Sequence, residues 1–391
     1  GGGAVVNELP VGRRVAQWRV RRNMTQQQFA DRLGRSKSWV DKVERGVRRL
    51  ERVSSLREVA AALRIDLDVL LADRPGQPDR AAAGVAGVRA ALARYHVAAP
   101  PRVPDVAALR ARLGHAEQSY RHARYPELLA LLPGLLDAVR AAQAARPGPA
   151  VDALLVPVYG LVALALVKVD QGELAWLAAD RGFAVALATD DARLVAAATV
   201  PLTQALRCCG RRRSAMAAAL VAAHRVRPAG AAAPGDAALR GTLLVQAALA
   251  AAGRGDGRSA GELVDQAAEV ARGLPEGGGF GPASVGAARV VVAVFLGDAG
   301  TATVRHERWV AGDGGRWLPP EHRAAYLLDV ARAYARAGDL RRAGRTLLDA
   351  ERTARSEVHH RPAVRDLVAV VARSGTAPAD LTRLAATLRV T

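Results

Sequence analysis

Four glycines, Gly210, Gly255, Gly297 and Gly338, recur at intervals of 45, 42 and 41 residues, and the fifth residue after each is alanine: Ala215, Ala260, Ala302 and Ala343. Glycine lets one helix end in a left-handed turn, and a small residue soon after it lets the next helix lie close against the first. The residues twelve after the glycines are Ala222, Ala267, Trp309 and Ala350, three of them small. Each unit therefore reads as a hairpin of two helices. A period of about forty residues predicts that the hairpins stack into an array, each burying its neighbour's apolar face. Gly172 departs from the rule with Leu177 at the fifth position, and residues 105–146 fit only as a helical hairpin.

The last unit, LLDVARAYARAGDLRRAGRTLLDA, has Tyr334 ahead of its glycine and Leu347 behind it. It resembles a tetratricopeptide repeat. The stretches GELAWLAADRG (172–182) and LPPEHRAAYLLDVARAYARAGD (318–339) are similar to the tetratricopeptide-like portions of regulators from high-GC bacteria. That resemblance implies an array that senses a ligand or a partner protein. Strand patterning is nearly absent, while apolar residues recur at three and four throughout, so the chain is predicted to be all-α.

The N-terminal residues follow a different pattern. Arginine supplies all but three of the 56 basic residues, and two of the three lysines, Lys37 and Lys42, stand together in TQQQFADRLGRSKSWVDKVERG (25–46); the third is Lys168. Residues 1–74 carry a net charge of +7 and the other 317 only +12, so basic charge is more than twice as dense at this end. Thr25 and Ser36 are good N-caps, Phe29, Ala30 and Leu33 share one face, and Gly34 permits a tight turn. A second short helix, 36–45, would bury Val40 and Val43 and leave Lys37, Ser38, Asp41 and Lys42 on the opposite face. A polar, basic helix of this kind can enter a major groove, where lysine donates to guanine N7 and O6. VGRRVAQWRVRR, with Val11, Val15 and Trp18 inward, supplies a preceding helix, and SSLREVAAALRIDLDVLL supplies two more, closing a five-helix core.

From Leu9 to about Ala72 the sequence resembles the Xre/Cro/CI-type helix-turn-helix family, through TQQQFA, the turn glycine and VERG. The resemblance implies that Lys37, Ser38 and Lys42 face bases, with Asp41 on the same face a fourth candidate, and that Gln26 caps the second helix and touches phosphate. Arg13, Arg14, Ser36 and Trp39 are the further candidates for the DNA backbone. Trp39 stands where a smaller residue is usual, and packing on the second helix is its other reading. Arg19 and Glu44 occupy positions of a buried ion pair between the first and third helices.

No pattern for an enzyme, a cofactor or a metal emerges. GRGDGRSAG (253–261) lacks the lysine spacing of a phosphate loop and falls at a hairpin turn. His359–His360 and Cys208–Cys209 are vicinal pairs without partners at ligand spacing, read as surface histidines and buried thiols in a reducing cytoplasm. The uncharged run Ala153–Val167 is shorter than the roughly 18–20 residues of a membrane span and reads as a buried helix. Tyr159, Trp176, Phe183, Trp309, Tyr326 and Tyr334 are candidates to line an effector pocket. Asparagine, a side chain suited to clamping peptide backbone, is absent from residues 24–391, which favours a small-molecule or protein effector.

The expected organisation is a disordered segment 1–8, a helix-turn-helix domain 9–72, a linker with one helix 73–104, and a tetratricopeptide-like α-solenoid 105–391. The expected function is that of a cytoplasmic, homodimeric transcriptional regulator bound to double-stranded operator DNA. A protein-interaction scaffold or antitoxin-like adaptor is the alternative.

Overall fold

The computed structural model describes residues 11–22, 24–48, 50, 53–65, 80–95, 105–226, 234–312, 314–375 and 377–390. The segment 1–8, the second helix expected after Leu63, and the linker stretches 73–79 and 96–104 lie outside the described residues. Contacts divide the chain into two compact units, Gly1–Asp79 and Arg80–Thr391. Among the described residues every regular element is helical.

The first unit contains α1 (Val11–Arg21), α2 (Gln26–Leu33), α3 (Lys37–Glu44) and α4 (Val53–Leu63). Val15, Phe29, Ala30, Val40, Val43, Val59 and Leu63 are buried together, so apolar faces spaced at three and four form its core. Thr25 accepts from the backbone N–H of Gln28, whose side chain in turn accepts from the Thr25 N–H; this reciprocal box fixes the start of α2. Gly34 ends α2 in the left-handed conformation (φ 60°), and Ser36 caps α3 by accepting from the Trp39 N–H at 3.2 Å. Gly12 sets the spacing of α1 and α3, since a Cβ there would lie 1.8 Å from the carbonyl oxygen of Val43.

The second unit begins with α5 (Arg80–Ala93). This is the helix expected inside a linker, but Ala81, Val88, Ala91 and Leu92 bury it in the core of the array. Six hairpins follow. They are α6 (Val106–Arg121) with α7 (Tyr125–Ala145), α8 (Pro149–Lys168) with α9 (Gly172–Leu187), and α10 (Ala192–Cys208) with α11 (Arg212–Arg225). The next three are α12 (Pro234–Ala252) with α13 (Gly257–Ala271), α14 (Pro282–Phe295) with α15 (Ala299–Ala311), and α16 (Pro320–Arg336) with α17 (Leu340–Thr353). The short α18 (Arg355–His359), α19 (Pro362–Ala372) and α20 (Ala379–Leu388) close the described chain.

Gly210, Gly255, Gly297 and Gly338 each join the two helices of a hairpin with φ between 73° and 82°, and the four alanines five residues on are fully buried. Asp256, Asp298 and Asp339 follow three of these glycines and cap the second helix with their carboxylates. Two further turns obey the same geometry without glycine. Ala123 (φ 54°) joins α6 to α7, and Asp170 (φ 59°) joins α8 to α9. The departure expected at Gly172 is therefore one of register: the left-handed residue is Asp170, and five after it stands Ala175, fully buried.

The helix α8 is long and apolar enough to cross a bilayer by length and composition, as is α7. Residues such as Leu155, Val158, Val162 and Leu166 are instead buried inside the array, which explains why α8 shows no polar face.

Candidate functional site

On the first unit, Lys37, Ser38 and Lys42 are exposed on α3, while Val40, Val43 and Glu44 are buried on its other side. Asp41 is half-buried and accepts from Arg45 at 3.3 Å, a surface pair of small energetic weight. Trp39 packs its half-buried ring against the unit's core, with the guanidinium groups of Arg35 and Arg48 at 5.7 and 5.9 Å from the ring centre. Arg35, Lys37, Lys42 and Arg48 thus lie exposed on and around α3.

The orientation of that helix is held from beneath. Arg19 on α1 donates through Nε to Glu44 Oε1 at 2.6 Å and through a second nitrogen to Oε2 at 3.1 Å, while its remaining nitrogen reaches the Met24 carbonyl at 2.7 Å. Gln26 donates to the same carboxylate at 2.9 Å. One buried Glu44 therefore ties α3 to both α1 and α2. Two expectations are corrected here. The cap of α2 is Thr25, and the Gln26 amide is engaged by Glu44. Arg14 is only 4% exposed, so its side chain is not presented to solvent, whereas Arg13, one residue earlier, is exposed.

The second unit holds an open cavity of about 570 Å³. Its walls come mainly from α6, α8, α10, α12, α14 and α16, the first helix of each hairpin, with Arg212 at the start of α11, the loop residues Gly279 and Phe280, and the start of α19. Its lining holds an apolar set, Val245, Leu249, Phe280, Val291 and Phe295, and a charged set, Lys168, Arg207, Arg212, Glu321, Asp329, Arg332 and Arg361.

The charged set joins the beginning of the array to its end. Lys168, 5% exposed at the end of α8, pairs with Glu321 on α16 and with Glu357 on α18, the latter at 2.7 Å. Tyr125 donates to Glu357, and Tyr120 on α6 donates to Glu321 at 3.3 Å across 201 residues of sequence. Arg361 stands 3.0 Å from the other oxygen of Glu357, near enough to pair its charge but outside hydrogen-bonding geometry. Burial raises the carboxyl pKa of Glu357, which is fully buried, but Lys168 and Arg361, with hydrogen bonds from Lys168 and Tyr125, more than offset this and hold it below the ordinary value. Burial lifts the Asp329 carboxyl even beside Arg332, and it depresses His322.

Of the aromatics expected in a pocket, only Tyr326 reaches the cavity wall. Trp309, Tyr326 and Tyr334 do come together around His306. The Trp309 and Tyr326 ring centres are 4.7 Å apart, and the His306 ring is 2.8 Å from the Tyr326 hydroxyl. Tyr159 is core, packed on Gly182; Phe183 is half-buried beside it; Trp176 stacks under Arg211 at 4.3 Å. The reading of the cysteines as buried also changes: Cys208 is exposed on the cavity rim and Cys209 half-buried, and burial with nearby Glu173 pushes the Cys209 thiol up to about 11. His359 bonds to Arg355 at 3.3 Å, and the described residues hold no cluster of three metal-ligating side chains. Lys168 had one signal in the sequence, as one of three lysines in a chain whose other basic residues are all arginine.

Residues 10–73 match a family model described as a helix-turn-helix domain. No curated protein matches the chain. Among solved structures, the Rap protein complexed with Competence and Sporulation Factor aligns at TM-score 0.51 and 13% identity over 90% of this chain and 99% of that one. Aspartyl phosphate phosphatase F from Bacillus subtilis aligns at 0.45 and 11%, covering 90% and 96%. PlcR from Bacillus thuringiensis, in complex with the peptide PapR7 and DNA, aligns at 0.30 and 11%, covering 68% and 94%. The first of these likenesses extends to the fold; the other two are too distant to support an argument.

Proposed function

We propose that this chain, a helix-turn-helix domain joined to a tetratricopeptide-like array, is a transcriptional regulator of the cytoplasm. Its α3 enters the major groove of operator DNA. The observation that carries this reading is Glu44: one buried carboxylate, held by Arg19 and Gln26, fixes the helix whose outer face presents Lys37, Ser38 and Lys42. Lys37, Ser38 and Lys42 are assigned to base edges, with Asp41 reaching one by releasing Arg45. Arg13, Ser36 and Trp39, flanked by Arg35 and Arg48, are assigned to the sugar-phosphate backbone. Contacts of this second kind position the protein and contribute to affinity without reading sequence.

A single domain of this size covers about half an operator, and a second copy binding a half-site about 34–36 Å away supplies the rest of the affinity. We assign dimer formation and effector binding to the array, whose fold is that of a Rap protein described with a bound factor. The test is a mobility shift of the full chain on the promoter DNA flanking its own gene, with sedimentation of the same sample. A discrete complex that resists competitor DNA, formed by a dimer, is the expected result. Binding equal to that of random DNA would remove the operator from this reading and favour a scaffold.

A further inference from the structure

In the charged part of the cavity lining most ions are matched. Lys168 faces Glu321 and Glu357, Arg361 faces Glu357, and Arg332 pairs with Asp329. Two arginines are left over. Arg207 makes one hydrogen bond, to Gln246 Oε1 at 3.0 Å, and its Nε is shut off from solvent without an acceptor. Arg212, one helix on and near enough to repel it, has no acceptor among the described residues. A guanidinium has five N–H donors, and a buried one left unmatched is costly. Burial, with Arg212 adding to it and Asp329 opposing, pushes the Arg207 pKa down to about 10, so it remains a cation at neutral pH.

The apolar part of the lining is unfinished in a complementary way. Phe295 is 38% exposed although it faces the cavity, beside Val291 and Phe280. Bare apolar surface and an unmatched cation line one space of about 570 Å³, a size typical of small-ligand sites.

We propose that the array binds a small organic acid, its carboxylate on Arg207 and Arg212 and its apolar body against Phe280, Val291 and Phe295. A carboxylate offers two oxygens in the plane that a guanidinium presents. Asp170 is exposed on the rim of the same cavity and offsets one of the two arginines that lack an ion partner, leaving one positive charge in excess. That excess suits a monoanion better than a phosphate dianion.

This inference rests on the reading of the array as an effector domain and names the class of effector. It is tested on the full chain with phenylbutyrate, its uncharged counterpart phenylbutanol, and inorganic phosphate, each titrated by calorimetry and by thermal shift. Phenylbutyrate should bind and raise the melting temperature, with phenylbutanol weaker by about tenfold, as the loss of a charge-assisted bond implies. Arg207→Gln should weaken phenylbutyrate by about tenfold and leave phenylbutanol unchanged, while Arg207→Lys should retain part of the affinity. Because Arg212 is exposed, Arg212→Gln carries the same test should Arg207→Gln lose helicity. Equal binding of acid and alcohol, tighter binding of phosphate, no binding of phenylbutyrate or of shorter aliphatic acids, or indifference to both substitutions would overturn the proposal. A mobility shift on the same samples separates the two readings: acid that binds without altering the DNA complex ends the sensing role but leaves the site.

Discussion

The two units of this chain use a buried ion pair for the same purpose at different scales. In the helix-turn-helix unit, Arg19 and Glu44 are 25 residues apart and fix the angle of one short helix. In the array, Lys168 and Glu357 are 189 residues apart and hold the first hairpins against the last. The lesson is that such pairs add specificity of arrangement where apolar packing alone permits sliding, because a charge out of register loses its partner at great cost. The array needs this more, since stacked hairpins with alanine at their contacts have little shape to resist slippage.

The sharpest way to break the comparison is Lys168→Met in the full chain. It leaves the fully buried Glu357 with only Arg361 and Tyr125 against Glu321, and the array's denaturation should lose about 3–5 kcal/mol. Adding Glu357→Gln should restore part of that loss; a single variant as stable as wild type would mean the two ends are not held by charge. Arg19→Ala should cost somewhat less, about 3 kcal/mol, because Arg19 is 13% exposed and Gln26 still reaches Glu44. Here the unfolding of the first unit is followed, and replacing Arg19 and Glu44 together with apolar residues should be milder than Arg19→Ala alone.

The next contrast lies between kinds of DNA contact. Lys37→Ala should lose about 1–3 kcal/mol at the operator and relax one base preference, whereas Arg13→Ala should weaken every sequence alike and lower the salt slope by about 0.9. Titration against operator and random DNA at several salt concentrations reads both. Smallest is the turn comparison. Gly338→Ala places a Cβ at φ 82° and should cost about 1 kcal/mol, while Asp170→Gly removes the same strain at φ 59° and should be neutral or slightly stabilising.

Acid separates the units by direction. None of the eight histidines lies in residues 1–79. In the array, burial holds His306, His322 and His359 below the usual 6.5, and Glu357 is held below 4.5. The unfolded chain binds more protons in both windows, so the array should lose stability as pH falls below 6.5 and again below 4.5. Asp329, raised by burial, opposes part of the second loss. Calorimetric scans between neutral and acid pH should show the array's transition falling first.

Much of the fold was legible because glycine at a hairpin turn is a local requirement. The caps at Thr25 and Ser36, the turns at Gly210, Gly255, Gly297 and Gly338 and the buried alanines after them depend only on nearby backbone. Ala123 and Asp170 hid two turns, since surrounding packing forces them into a conformation their side chains disfavour. The cavity was not legible at all. Its walls come from several helices whose phases are set by stacking, and of the aromatics picked out from the sequence only Tyr326 reaches them. Arg14 shows the same limit at smaller scale: neighbouring arginines on a helix point in different directions, and only packing decides which one meets solvent.

The partnership of Lys168 has a consequence in time. On the ribosome, Lys168 emerges 189 residues before Glu357. At the usual pace of synthesis, about 5–20 residues per second, it waits roughly 10–40 s for that carboxylate. Through that interval α8, the most apolar helix among the described residues, ends in a cation whose native partners have not yet been made. The nascent array therefore keeps an open, hydrated seam beside its greasiest surface, and a chain stalled or cleaved before Glu321 never closes it. Such fragments would be natural clients for chaperones and proteases, whereas the finished chain, its two ends joined, offers them no free edge at that seam.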